Sequence, residues 1–248
     1  LRTVRRWPPR EGDWAKAELP VPTEDFPPEE LPYATLLDSY GSSGNVTADL
    51  DAIVAEYRIP EPYTDEDEAK ADGLKPVSVK RLDCTNDTVV TIDPVDARDY
   101  DDALSISKSP AKGQVVVGVH IADVASYIRP NSEFDLKARE RCFTSYLPGR
   151  TLPMLPKALA NRQCSLQAGV PRLAHSVFIC FDEHTGEILS WKRRHTVINV
   201  RQRLCYEQVQ EFLEGGAFDA QPGVAELVKK LADVSRLLRH RRMTRGRF

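Results

Sequence analysis

Apolar and polar residues follow two different rhythms along this chain. The run Thr88–Ile92 (TVVTI) is short, apolar and β-branched, and reads as a buried strand. Ala103–Ser107 and Gln114–Ile121 (QVVVGVHI) read as two more strands, joined by the polar turn Lys108–Gly113 with its Pro and Gly. Leu173–Asp182 and Glu187–Val200 predict a hairpin around His184-Thr185-Gly186. Helical spacing starts at Leu50, Ile53, Val54 and Tyr57, which share one apolar face. Asp or Thr residues at 47–51 can cap that helix, and Arg58-Ile59-Pro60 marks its stop. A capped helix is predicted over Ser132–Cys142, with Glu133 and Asp135 in its first turn, and two more helices over about 206–214 and 223–242. Thr144–Pro156 is extended and proline-bearing. Because strands and helices alternate irregularly, the pattern points to an α+β class.

Composition narrows the setting. A chain of 248 residues with 41% hydrophobic content can build a core. It has no run of bilayer-spanning length and no visible secretory leader, so the expectation is a soluble, cytoplasmic protein. Five cysteines without a C-x-x-C pair disfavour both zinc and a disulfide framework. Net charge is only −3, but its distribution is uneven. Six acids face one lysine between Glu61 and Asp72, a solvated connector or short helix. Lys192–Arg203 holds five basic residues and no acid, and Val224–Phe248 holds eight Lys or Arg against two acids, an arrangement suited to tracking phosphates.

The chemistry concentrates after the first buried strand. Asp93, Asp96, Asp99, Asp101 and Asp102 fall within ten positions. Carboxylates a few ångströms apart repel by roughly 4 kcal/mol per pair at an effective dielectric near 20, so a converging set needs a cation. Mg²⁺ takes oxygen ligands, keeps some waters and sits between carboxylates and a substrate phosphate. An EF-hand does not fit, since counting from Asp99 puts Ala103 at the fifth position and Leu104 at the sixth.

These aspartates belong to a longer series of blocks. Ile92–Ala103, Gly118-Val119-His120-Ile121-Ala122-Asp123-Val124, Tyr146-Leu147-Pro148-Gly149-Arg150, Pro153-Met154-Leu155-Pro156 and Cys164-Ser165-Leu166 occur in an order and at spacings that resemble the catalytic RNB domain of the ribonuclease II and ribonuclease R family. The resemblance covers about residues 81–210 well and implies a mixed β-sheet with flanking helices. It further implies a processive 3′→5′ exoribonuclease that acts on single-stranded RNA and releases nucleoside 5′-monophosphates. The family's four acidic positions fall on Asp93, Asp99, Asp101 and Asp102, which would hold two Mg²⁺ ions; Asp96 lies where the family relies on no acid. Tyr146 falls on the aromatic that stacks on the 3′-terminal base. Arg150 and His120 complete the expected RNA-contacting set, although a lone His at a strand end is commonly structural.

The resemblance also divides the chain. Residues 1–44, rich in proline, are expected to be the remnant of a cold-shock-type or OB-like β-barrel, residues 45–80 a helical, acidic connector, and residues 81–248 the first half of the catalytic domain. The family's catalytic domain continues beyond the motifs present here and carries an essential arginine, so a downstream segment or a second chain is expected to complete it. Two alternatives differ in class. A non-catalytic RNA-binding relative would lose aspartates, and all four positions are Asp here. A nuclease built on an Asp-x-Glu strand motif would need Glu where Val95 stands.

Overall fold

The computed structural model describes residues 7–19, 34–108 and 111–246. Residues 1–6 and 20–33 of the expected β-barrel remnant lie outside these residues. In chain order the elements are β1 (Asp13–Glu18), β2 (Thr35–Ser42), α1 (Val46–Glu56), α2 (Asp65–Asp72), β3 (Leu82–Cys84), β4 (Val89–Asp93), β5 (Asp102–Lys108) and β6 (Gln114–Ala122). There follow α3 (Glu133–Arg141), β7 (Ser145–Leu147), β8 (Arg150–Leu152), β9 (Pro171–Asp182), β10 (Ile188–Asn199), β11 (Gln202–Cys205), α4 (Tyr206–Leu213) and α5 (Val224–Thr244). A single π-helical turn occupies Ala158–Gln163. The class is α+β with a mixed sheet, as the sequence predicts.

Two compact units emerge, and their boundaries differ from those expected. One comprises residues 1–62 with 136–154, the other 63–135 with 155–248, so the boundary falls inside α3 and residues 136–154 group with the N-terminal unit. In that unit β1 and β2 pair antiparallel. Helix α1 is capped by Asn45, whose side chain accepts from the Thr47 and Ala48 amides, rather than by residues 47–51. Its buried positions are Ala48 and Val54, while Tyr57 is 72% exposed, so the expected apolar face is rotated. Trp14 Nε1 donates to Asp49 Oδ1 at 2.7 Å, tying β1 to α1.

The second unit is organised by one seven-stranded sheet in the order β11-β4-β5-β6-β9-β10-β3. Strands β3 and β4 follow each other in sequence yet stand near opposite ends of that order. Five Cα steps from Cys84 to Val89 reach at most about 19 Å, whereas five strand spacings in a flat sheet would need about 24 Å. The sheet must therefore curl until its ends approach. The same approach is visible where β10 ends at Asn199 and the chain runs directly into β11 at Gln202 on the other end of the order, the Arg201 amide between them donating to Val89 O at 2.8 Å. Both terminal pairings are parallel, β3 on β10 and β11 on β4.

Curling gives the sheet two differently covered faces. Val89, Ala103, Ala122, Ala174 and Ile198 join Leu159, Cys164 and Leu166 in one buried cluster. Val90 and Leu204 point the other way and pack with Val224, Leu227 and Val228 of α5. Adjacent Val89 and Val90 thus serve opposite faces, which is why TVVTI carries no polar alternation. Through the first cluster runs a polar chain across four strands. Ser105 Oγ lies 2.9 Å from His120 Nε2, His120 Nδ1 lies 2.7 Å from Ser176 Oγ, and Ser176 Oγ lies 2.6 Å from Thr196 Oγ1. Thr196 donates to Ala174 O, so Ser176 donates to Thr196, His120 Nδ1–H donates to Ser176, and Nε2 accepts from Ser105. Gly118 makes room for the ring, since a Cβ there would stand 2.8 Å from His120 Nε2. All five cysteines are free; burial pushes the thiols of Cys84 and Cys164 up to about 11 and about 12. Among the described residues no helix is long and apolar enough to cross a membrane.

Candidate active site

Antiparallel pairing of β4 with β5 brings Asp93, the last residue of one strand, and Asp102, the first of the next, to the same end of the sheet. The aspartates therefore do not simply follow the strand, as the sequence suggests; two of them are strand residues, and rigid backbone fixes them. Asp99 and Asp101 ride on the connecting loop. Asp96 is exposed, next to Val95, which is 68% exposed.

The loop is held from several directions. The Ala97 amide donates to Pro94 O at 3.1 Å, and the Tyr100 hydroxyl donates to Ala97 O at 2.9 Å. Ser165 Oγ accepts from the Tyr100 amide at 3.2 Å and donates to Arg98 O at 3.3 Å, and the Leu166 amide donates to Tyr100 O at 2.8 Å. The Ala122 amide closes the far end on Asp101 O at 2.8 Å. From β11, Arg203 Nη2 donates to Pro94 O at 3.0 Å and to Val95 O at 2.6 Å. Its guanidinium carbon stands 5.2 Å from the centre of the Tyr100 ring. Sequence reasoning named neither Ser165 nor Arg203 as a site residue. Ser165 was legible only as part of the block Cys164-Ser165-Leu166, and Arg203 was one of five cations in a basic run.

The carboxylates feel one another. Loss of hydration is the first cause raising Asp93 above the usual carboxylate range; Asp102 and Asp99 reinforce it, and the Thr91 hydroxyl and the Arg203 guanidinium oppose it. Asp101 has an exposed side chain but stands deep enough among protein atoms that lost hydration again leads, followed by the charges of Asp99, Asp102 and Asp93. Asp93 Oδ2 is buried with no donor at bonding distance, and the nearby Thr91 hydroxyl is likewise buried without a partner at that distance. A buried oxygen of this kind costs about 1–3 kcal/mol or more until a cation or donor meets it.

The donor set suits a hard cation. Among the described residues no three acidic, His or Cys side chains already enclose an ion position. Mg²⁺ rarely uses an all-protein cage and completes its octahedron with water and substrate phosphate, so coupled carboxylates with one orphaned oxygen fit it.

The other expected site residues are distributed differently. His120 is a correction: it is 0% exposed, both ring nitrogens are engaged, and burial lowers its pKa to about 4. A neutral ring with no free nitrogen contacts neither RNA nor metal. Tyr146 lies on β7 of the N-terminal unit and is 73% exposed. Arg150, on β8 of the same unit, pairs with Asp51 at 2.6 Å.

The RNB domain profile matches residues 81–248. The chain belongs to the RNB domain family. It is 35% identical over 240 residues to ribonuclease R of Chlamydia trachomatis, covering 95% of this chain and 34% of that protein. Ribonuclease R of Mycoplasma genitalium, solved in complex with double-stranded RNA, superposes with a TM-score of 0.83 at 27% identity, over 94% of this chain and 42% of that one. Yeast Ssd1, described as a pseudonuclease, shares the fold at a TM-score of 0.70 and 19% identity, over 94% of this chain and 29% of that one. The chain spans about a third of the length of the ribonuclease R relatives it matches.

Proposed function

We propose that this chain provides the metal-binding half of a 3′→5′ exoribonuclease site that hydrolyses single-stranded RNA to nucleoside 5′-monophosphates. The observation that carries the reading is the set Asp93, Asp99, Asp101 and Asp102 gathered at one end of the sheet, where lost hydration and then the neighbouring carboxylates raise Asp93 and Asp101 above the usual carboxylate range and Asp93 Oδ2 is buried with no donor at bonding distance. RNB folds also occur without catalysis, so the argument rests on these carboxylates rather than on the fold. Mg²⁺ bound there would supply an activated water and stabilise the leaving oxygen of an in-line displacement. Asp93 and Asp102 hold their positions through the strands, and Asp99 and Asp101 through the pinned loop. In the hydrolysis, water oxygen bonds to the last phosphorus, the P–O3′ bond breaks, and the penultimate 3′ oxygen leaves with a proton. Tyr146 offers an exposed ring on which a terminal base can stack without sequence preference.

Asp101→Asn in the intact protein tests this. It preserves shape and removes a charge, so single-turnover cleavage of a 3′-labelled RNA should fall by at least about 10²-fold while RNA affinity stays near wild type, because affinity rests mainly on phosphate contacts elsewhere. Near-normal cleavage by the variant refutes the assignment.

A further inference from the structure

Arg203 contacts the aspartate loop at both of its ends. Nη2 holds the carbonyls of Pro94 and Val95, immediately after Asp93, and the guanidinium carbon stands over the ring of Tyr100, immediately before Asp101. Tyr100 is itself tied to Ala97 through its hydroxyl and to Ser165 and Leu166 through its backbone, so the side chain bears on a fixed ring. Arg203 sits on β11, whose parallel register sets Arg203 opposite Thr91 and Cys205 opposite Asp93. One cation thus spans the gap between the strand-borne aspartate and the loop-borne pair. Its Nε is buried without a partner. The group therefore keeps this pose although part of its own hydrogen-bonding capacity goes unused.

We propose that Arg203 is a positioning residue for the metal site: it sets the spacing of Asp93 from Asp99 and Asp101, without itself touching metal or RNA. The inference rests on the function proposed above. Octahedral coordination at about 2.0–2.1 Å tolerates little drift in its oxygens. Loss of groups that orient metal ligands commonly costs about 10- to 100-fold in affinity or activity. Charge alone argues for the opposite sign, since removing a nearby cation should tighten a bound dication, so the two effects separate cleanly. Lysine keeps the charge, but its one compact terminal nitrogen cannot hold both carbonyls and also cover the Tyr100 ring as the broader guanidinium does.

The experiment compares wild type, Arg203→Lys and Arg203→Met in the intact protein. Mn²⁺ binding followed by electron paramagnetic resonance gives a readout independent of turnover. RNA hydrolysis is then titrated with Mg²⁺, and RNA affinity is measured in EDTA. Both variants should bind Mn²⁺ about 10-fold or more weakly and turn over about 10- to 100-fold more slowly, with RNA affinity within about twofold of wild type. Circular dichroism establishes that each variant folds, and the lysine variant carries the test if the methionine variant does not. Wild-type behaviour of Arg203→Lys overturns the proposal, as does tighter Mn²⁺ binding by Arg203→Met or a loss confined to RNA affinity. A wild-type protein that binds Mn²⁺ and loses it in both variants, yet never cleaves RNA, sinks the nuclease reading and leaves the positioning role standing.

Discussion

His120→Gln should flatten the acid side of the stability profile. In the unfolded chain a histidine titrates near 6.5, while burial holds the folded ring down to about 4. As pH falls below 6.5 the unfolded chain takes up a proton that the folded ring refuses. Stability is therefore full above about pH 6.5, declines between 6.5 and 4, and levels off below. At about 1.4 kcal/mol per pH unit the loss amounts to about 3 kcal/mol. Glutamine does not titrate, yet its carbonyl can accept from Ser105 and its amide can donate to Ser176, so neither hydroxyl is abandoned. Asp93 and Asp101 act in the opposite sense: with raised pKa values they weaken the fold when charged, and that penalty disappears as pH falls through their folded values. The informative quantity is accordingly the difference between wild type and variant, in which they cancel. Urea titrations followed by far-ultraviolet circular dichroism from pH 7.5 to 4.5 supply it; Trp7, Trp14 and Trp191 are exposed and would be poor fluorescence reporters. A difference that does not change with pH would refute the burial argument.

Two further outcomes follow from the site. Asp93→Asn should raise the melting temperature of the metal-free protein at pH 7 and abolish the stabilisation that Mg²⁺ gives wild type; the gain should vanish at acid pH, where wild-type Asp93 is also protonated, and differential scanning fluorimetry with and without Mg²⁺ checks both. Tyr146→Ala should weaken capture of the RNA 3′ end by about 10-fold and lengthen the limit products, with Phe restoring them; an unchanged product ladder would remove the ring from substrate binding.

What the sequence makes legible depends on how local the determining contact is. Strands β4, β5, β6, β9 and β10 could be read because each carries its own apolar pattern and four of them pair across short connections. Strands β3 and β11 could not, because three or four residues hold too little periodicity and their parallel partners lie far away in the chain. The helix at 46–56 is readable, but its cap falls on Asn45, two positions before the Asp and Thr residues at 47–51, and its buried face is hidden because Ala48 carries little hydrophobic weight. The aspartates were legible as a cluster of one residue type. Whether His120 faced RNA or the core was not, since the deciding partners Ser105, Ser176 and Thr196 come from three other strands. Arg203 was hidden among cations because its role comes from strand register, which composition does not encode.

The parallel pairing of β11 with β4 also constrains the order of events during synthesis. All four aspartates and their loop leave the ribosome long before the residues that flank β4 and clamp the loop. Until Gln202–Cys205 arrive, β4 has one open edge and Arg203 is not in place, so the nascent chain carries the metal ligands without the geometry to use them. Contacts of such long sequence separation also make folding of this unit slow. A product truncated just before Gln202 would retain every acidic residue of the site and still lack the clamp that orders them.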